Sequence, residues 1–370
     1  MGEMKIAILG AGAAGCTIAG HLKSTGHEIR LFDLPEFSAN IDTVRRRGGI
    51  NMTGELTGLY MPDRLTTDVR EAVGDADIVM LTVPGFAHEP LMDACLRQFS
   101  TNQIVLNWTS YWFSLRFFPR TREIGRSDVT LAEASIMPYM TEKTPDGSVF
   151  VRAVKQRLWV AAMPASNTER VLRIVKDLYP QTIAGENVLW TSLSNLNVPF
   201  HAVNAIMNAG HWEQTNGDFD FFGYGITPAV ARVAEAIDKE RVAVAKAIGI
   251  DSPPLPELMT AIYNRYGATG KTMYDVLHTL KSHATWRPRV SLYDYGDVRE
   301  DVPFGLVPLS SFGRKFGVPT PMIDSLINIA SVATRRDFRA MGIDVDDLGV
   351  SRMTRSEILR YVACGLTITP

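Results

Sequence analysis

The rhythm of apolar and polar positions changes midway along the chain. In the first half, short apolar runs stand apart: Lys5–Leu9, Glu28–Phe32, Ile78–Val83 and Ile104–Leu106, with Val129–Leu131 and Arg157–Ala162 as further runs of the same kind. Runs this short and rich in β-branched residues read as strands buried on both faces. Helical patterns separate them, beginning with Ala11–Lys23. Strands alternating with helices predict a parallel sheet covered on both sides. From about Asn197 the helical period dominates. Thr227-Pro228 reads as an N-cap followed by proline at the first helical position, and that helix runs to Gly249, a terminating glycine. Along it Val230, Val233, Ile237 and Val244 fall near one face, and Arg232, Glu235, Asp238 and Lys239 on others. Thr320-Pro321 repeats the start signal before an apolar stripe of Ile323, Leu326, Ile327 and Ala330. Thr354 with Glu357 three residues later is a capping box.

These patterns predict an α/β domain with a doubly wound parallel sheet, followed by an all-helical domain. A chain of 370 residues suits two domains better than one. The boundary is expected between Pro180 and Asn197, where Gln181–Asn187 carries loop-like residues, giving domains of 1–188 and 189–370. Hydrophobic residues at 46% and charged residues at 21% describe a globular protein. A formal net charge of -2 leaves no excess of basic residues for nucleic acid or an acidic membrane surface. Cys16, Cys95 and Cys364 are far apart, which argues against a disulfide framework or a zinc site and for a reducing, cytoplasmic compartment. Residues 6–20 are apolar, but they lack a basic leading region and are too short and glycine-rich for a membrane span.

Gly10-Ala11-Gly12-Ala13-Ala14-Gly15 is a GxGxxG run that follows an apolar strand and opens a helix, the context a dinucleotide-binding loop requires. Gly10 permits the tight turn, Gly12 lets the backbone approach a pyrophosphate, and Gly15 lets helix and strand pack closely. The N–H groups of Ala13, Ala14 and Gly15 then offer an anion site at the helix N-terminus. This is the Rossmann arrangement. Asp33 ends the second strand, eighteen residues after Gly15, where a carboxylate accepts the ribose hydroxyls of NAD and repels a 2′-phosphate. Arg45, Arg46 and Arg47 are the nearby basic cluster and would rescue NADP binding if their loop folds back, so NAD is expected and NADP stays open. Pro84, after the third run, and Asn107, after the fourth, occupy strand ends where such sheets bind ligands, and both are expected at the cofactor. His88 reads first as a polar loop residue near the start of the next helix, and otherwise as a contact to cofactor or substrate.

The chain resembles the octopine/nopaline (opine) dehydrogenases. The resemblance covers most of its length. It rests on Ala76-Asp77-Ile78 leading to Val83-Pro84-Gly85-Phe86-Ala87-His88-Glu89, on Glu133-Ala134-Ser135 before Pro138-Tyr139, and on Asn197-Val198-Pro199-Phe200-His201. It continues in Gly225-Ile226-Thr227-Pro228, Glu240-Arg241 to Ala247-Ile248-Gly249-Ile250, Glu300-Asp301-Val302-Pro303-Phe304-Gly305-Leu306-Val307-Pro308, and Gly317-Val318-Pro319-Thr320-Pro321. The resemblance implies an active site in a cleft between the domains, and reductive joining of an amino acid to a 2-oxo acid with NADH or NADPH. It also implies a His–Asp acid–base pair, matched here by His201 and Asp301. Chemistry agrees: histidine moves a proton most readily near neutral pH, and a carboxylate at its other nitrogen fixes the tautomer.

Two substrate-binding candidates follow, Glu133 and Arg299. The basic residue that family members carry just upstream of the Glu-Asp-Val-Pro element has no counterpart at that spacing in Tyr293-Asp294-Tyr295-Gly296-Asp297-Val298-Arg299, so Arg299, or Arg289, is expected to take the role. The loop Asn107-Trp108-Thr109-Ser110-Tyr111-Trp112 is bulkier than the family's usual glycine-containing one, suited to line a pocket or to cover the sheet edge. No metal is expected, and base rates favour a homodimer. Two competing readings are a two-domain reductase of 2-oxo acids or of the ketopantoate type, which would rely on a lysine in the second half, and a non-catalytic dinucleotide sensor. Lys239, Lys246 and Lys271 are present, in no motif that supports the lysine chemistry.

Overall fold

The computed structural model describes residues 2–366, so residue 1 and residues 367–370, the outer ends of the two expected domains, lie outside the described residues. The chain divides into two compact units, Met1–Thr191 and Ser192–Pro370. The division falls inside a short helix, Val188–Leu193.

Among its described residues the first unit holds twelve strands: β1 Lys5–Leu9, β2 Glu28–Phe32, β3 Ile50–Gly54, β4 Gly58–Tyr60, β5 Arg64–Thr66, β6 Ile78–Leu81, β7 Ile104–Asn107, β8 Thr130–Ala134, β9 Tyr139–Lys143, β10 Val149–Val154, β11 Leu158–Met163 and β12 Thr182–Ala184. Eight of them form one sheet in the order β12-β11-β8-β7-β6-β1-β2-β5. All its neighbours are parallel except β8 and β11, so the sheet is mixed rather than wholly parallel. The register places Phe32, Leu9, Leu81, Asn107 and Glu133 in one row across the carboxyl ends of five strands. The chain leaves β1 toward β2 on one side, while β6 lies on the other. That reversal is the crevice in which open α/β sheets take ligands.

Helix α1 (Ala13–Ser24) begins two residues later than the apolar pattern places it, because Ala11 and Gly12 belong to the turn. Helix α2 (Ser38–Arg47) ends at Gly48, which takes a left-handed φ of 73°. Helix α3 (Phe113–Glu123) follows the aromatic loop. A second sheet, β4-β3-β10-β9, was not legible in the apolar pattern, and part of the segment read as the domain linker is strand β12. These strands are short, and several are half-exposed, so their composition carries little signal.

The second unit contains only helices among the described residues. Those that matter below are α4 (His201–Met207), α5 (Pro228–Ile248), α6 (Gly296–Glu300), α7 (Val307–Phe316), α8 (Pro321–Thr334) and α9 (Arg355–Cys364). Thr227 caps α5 through Val230 N–H, and Thr354 with Glu357 forms the expected capping box of α9. Ile323, Leu326, Ile327 and Ala330 of α8 are buried. Thr320 does not cap α8, however; its hydroxyl donates to Asp324, and the Met322 and Ile323 N–H groups donate to Glu240 of α5 at 2.8 and 2.9 Å. A carboxylate from a neighbouring helix has taken the place of the local cap. Beside it Arg241, buried, pairs with Asp238 and donates to Leu193 O and Pro253 O, tying α5 to the chain on either side. No helix among the described residues is long and apolar enough to cross a membrane.

Candidate active site

In the first unit the glycine loop is shaped by steric need. Gly10 has φ 110°, and a Cβ there would meet Val83 Cγ1 at 2.7 Å and Thr82 Oγ1 at 2.9 Å. A Cβ on Gly15 would fall 1.8 Å from Gly10 O, so the helix and the turn touch through glycine alone. Gly12 differs: its φ of -72° suits any residue, yet nothing lies within 4 Å of its Cβ position. Open space over Gly12, with no side-chain cap and no acidic residue in the first turn of α1, fits a pyrophosphate at the Ala13, Ala14 and Gly15 end of the helix.

Asp33 lies one residue beyond β2. Its Oδ2 accepts from Ala11 N–H at 3.1 Å and Asn40 Nδ2 at 2.9 Å, and its Oδ1 accepts from Leu34 N–H at 3.0 Å. Burial raises its pKa, opposed by these hydrogen bonds and by Lys143. Arg45–Arg47 do not fold back toward it. Arg45 pairs with Asp42, Arg46 reaches Thr43, and Arg47 pairs with Asp146. These side chains are thus engaged with Asp42, Thr43 and Asp146, and the fold-back that would bring them to Asp33 is not formed.

Pro84 follows β6 and starts a short turn at Gly85–Ala87. His88 is buried against Phe113, and burial pushes its pKa down to about 3, so it is a neutral packing residue. Asn107 is fully buried; its Nδ2 donates to Ser110 O at 3.0 Å and its Oδ1 accepts from Thr109. The side chain expected at the cofactor is thus committed to the loop that follows. In that loop Ser110, Tyr111 and Trp112 have φ of 40°, 48° and 61°. Consecutive left-handed non-glycine residues are strained. Trp108, Tyr111 and Trp112 are buried, so the aromatics pack rather than remain on the surface.

Glu133 corrects a further expectation. It is fully buried, Oε2 accepts from Ser114 N–H in the first turn of α3 at 2.8 Å, and Oε1 accepts from Thr191 Oγ1 at 2.7 Å. A carboxylate bracketing a helix N-terminus from within a central strand is a structural tie, which argues against the substrate contact expected of it.

In the second unit His201 opens α4. Its backbone N–H donates to Asn197 O at 3.1 Å, and its ring lies 4.3 Å, centre to centre, from that of Phe200. Opposite runs one continuous helical stretch: α6, then a π-helical segment at Asp301–Leu306, then α7. Pro303 lacks an N–H and would clash with the carbonyl four residues earlier, and the widened π turn accommodates it without ending the helix. Gly305 permits the close approach of the two segments of this cluster: a Cβ there would come 2.6 Å from Val198 Cγ2, three residues before His201.

The approach brings His201 Nδ1 3.3 Å from Asp301 Oδ2, the pair the sequence indicated. It also brings Nδ1 3.1 Å from Asp297 Oδ2, which the sequence reading did not single out. Asp301 is 1% exposed and Asp297 28%. The signal for Asp297 was its spacing: residues four apart on a helix share a face. Tyr295, buried and held well above its ordinary pKa by desolvation and by Asp297, hydrogen-bonds that carboxylate. The ligand atoms of His201, Asp297 and Asp301 lie within 4.8 Å of one another, a spacing a cation would also accept, and the contacts at Nδ1 are ion-pair distances: neither His201 Nδ1 nor Asp301 Oδ2 makes a well-aligned hydrogen bond. Arg299 stands two residues beyond Asp297, on the other side of the helical turn, with its guanidinium 5.5 Å from the Tyr293 ring. Arg289 pairs with Asp218. At about 100° per residue, a helix that turns 297 and 301 toward His201 presents 299 on another face, so the substrate-carboxylate contact expected of Arg299 or Arg289 is not part of the His201 cluster.

Comparison with known proteins decides the family. The chain is 33% identical to the opine dehydrogenase of Arthrobacter sp. (strain 1C) over 357 residues, 95% of this chain and 97% of that protein. The chain belongs to the opine dehydrogenase family. Residues 184–334 match the model of the NAD/NADP octopine/nopaline dehydrogenase alpha-helical domain, and residues 5–110 match that of the NAD-dependent glycerol-3-phosphate dehydrogenase N-terminus. Protein ocs of Agrobacterium tumefaciens (strain Ach5) is 24% identical over 96% of this chain and 98% of its own. A solved octopine dehydrogenase with NADH and L-arginine shares the fold at a TM-score of 0.76 and 19% identity, covering 96% of this chain and 98% of that one. As a member of the family the chain is an NAD(P)-dependent oxidoreductase. The glycerol-3-phosphate likeness is confined to the dinucleotide half, which weakens the lysine-based alternative.

Proposed function

We propose that this enzyme joins the amino group of an amino acid to the carbonyl of a 2-oxo acid, reduces the resulting C=N bond, and oxidises the secondary amine in the reverse direction. The observation that carries the reading is His201 Nδ1 held between the carboxylates of Asp297 and Asp301. Carboxylates at Nδ1 keep a proton there, so Nε2 is the ring atom that exchanges protons with substrate. In the reductive direction protonated His201 donates to the carbonyl oxygen as water leaves. In the oxidative direction neutral His201 accepts a proton from the amine or from the hydrolytic water. The dinucleotide, held by Gly10, Gly12, Ala13, Ala14, Gly15 and Asp33, supplies the hydride when bound. Pro84 lines the same strand ends, and Asn107 acts there by shaping its loop. Buried Asp301 orients the ring, and Asp297 shares that task.

The cysteines are unpaired, with Cys16 and Cys95 buried, which supports a reducing, cytoplasmic setting. A homodimer is the proposed assembly, on symmetry base rates, and gel filtration with light scattering tests it. The activity is tested by NADH oxidation with amino acids and 2-oxo acids, together and singly. Dependence on both substrates is expected. Reduction of an oxo acid alone would assign a simple oxo-acid reductase instead.

A further inference from the structure

The second sheet places a lysine at the glycine loop. Strand β9 runs along α1 toward the helix N-terminus. Tyr139 Oη meets His21 Nδ1 at 2.5 Å, Thr141 Oγ1 meets Thr17 Oγ1 at 2.8 Å, and Lys143 Nζ donates to Ala11 O at 3.3 Å. Two residues of strand advance about 6.6 Å and four of helix about 6 Å, so the first two rungs stay in step, and the long lysine side chain of the third reaches past the helix end to Ala11 O in the loop. Lys143 Nζ also donates to Asn40 Oδ1 at 3.0 Å, and Asn40 Nδ2 donates to Asp33 Oδ2. A half-buried ammonium beside the positive end of a helix is unfavourable by itself. An anion in the same corner offsets that cost.

We propose that Lys143 sets the phosphate tolerance of the cofactor site: its ammonium meets the 2′-phosphate of NADPH beside Asp33, so that the domain binds NADPH as well as the preferred NADH. The proposal rests on the reading of Asp33 as the ribose-binding carboxylate. Asp33 alone repels a 2′-phosphate, and the nearby arginines of α2 are engaged with Asp42, Thr43 and Asp146. Lys143, joined to Asp33 through one asparagine, is placed to cancel that repulsion. It comes from a hairpin more than a hundred residues away, outside the sequence window in which phosphate-binding residues are ordinarily sought.

The test is equilibrium titration of full-length protein with NADH and NADPH, read by nicotinamide fluorescence. Lys143→Met should raise the ratio of the NADPH to the NADH dissociation constant about tenfold, the scale of one charge-assisted contact. Lys143→Arg should keep the ratio within about threefold of the parent's, and it guards against a general packing defect of Lys143→Met. An unchanged ratio in folded Lys143→Met, even with both affinities reduced, overturns the proposal and assigns the lysine to the pyrophosphate or the fold. Failure of the parent to bind NADPH overturns it as well. Asp33→Ser separates the two readings. If it leaves the ratio unmoved, the ribose assignment fails; if it narrows the ratio while Lys143→Met does not shift it, only the lysine assignment fails.

Discussion

At the scale of single residues, His201 and its two carboxylates make the sharpest claims. A positioned acid–base group contributes roughly 10²–10⁴ in rate. His201→Asn should lower turnover by that order while NADH affinity, read by fluorescence, stays within about twofold. Asp301→Asn should cost turnover more than it costs folding, and the double variant should be little worse than either single one, because the two act as a unit. A His201→Asn enzyme with turnover within a factor of about three of the parent would make His201 a packing residue. Carboxylates beside Nδ1 favour the protonated ring. Asp297→Asn should therefore move the break in the oxidative pH–rate profile to lower pH, whereas a purely structural role would leave it in place. Asp33→Ser should narrow the preference for NADH by removing both the ribose contact and the charge that repels a 2′-phosphate; competing turnover with the two dinucleotides measures it. Arg299→Met should leave both Michaelis constants unchanged, since its guanidinium lies over Tyr293. A tenfold rise in either would return it to the substrate.

At the scale of elements, the spacing of His201 and Asp301 depends on the π-helical segment. Pro303 widens the turn, and Gly305 lets it close on Val198. Gly305→Ala inserts a methyl 2.6 Å from Val198 Cγ2, so the segment must move away and carry Asp301 with it. The expected outcome is turnover reduced about tenfold or more, with a stability loss of roughly 1–3 kcal/mol from overpacking. Urea denaturation and steady-state kinetics on the same variant measure the two effects, and full turnover would show that the segment does not set the spacing. Much here was legible in sequence. Thr227-Pro228 to Gly249 gave α5, the glycine run gave the turn before α1, and Asn197–His201 with Glu300–Pro308 gave the His201–Asp301 pair through the family resemblance. Glu240 as the cap of α8 was not legible, since a partner from another helix leaves no local pattern. Nor was the burial of Glu133, because a carboxylate in a strand reads the same whether it faces a ligand or a helix N-terminus.

At the scale of the whole molecule, buried titratable groups set how stability follows pH. Burial lowers His88 to about 3, and the unfolded chain binds its proton near 6.5. Burial likewise lowers Lys155 to about 7 from 10.5. In both windows the unfolded state holds the extra proton, so stability falls as pH drops from about 6.5 toward 3 and rises as pH climbs from about 7 toward 10.5. Lys155→Met should flatten the alkaline rise and stabilise the protein at pH 6, by up to about 1.4 kcal/mol per pH unit of the window removed. Denaturant midpoints from pH 5 to 10 measure this. A rise that persists undiminished in Lys155→Met would assign it to other groups.

The sequence by itself determined the α/β order of the first half, the helical second half and the dinucleotide loop, because each is written in local spacing or in motifs of a few residues; the histidine and aspartate were named by the resemblance to the opine dehydrogenases. Tertiary structure alone decided that Asp297 joins His201, that Arg299 turns away, that Glu133 ties a helix to the sheet, and that Lys143 reaches the glycine loop. These depend on which face of a helix turns inward and which distant strand lies alongside it. Side-chain direction and long-range register follow from packing, and packing is a property of the folded chain rather than of any short window within it.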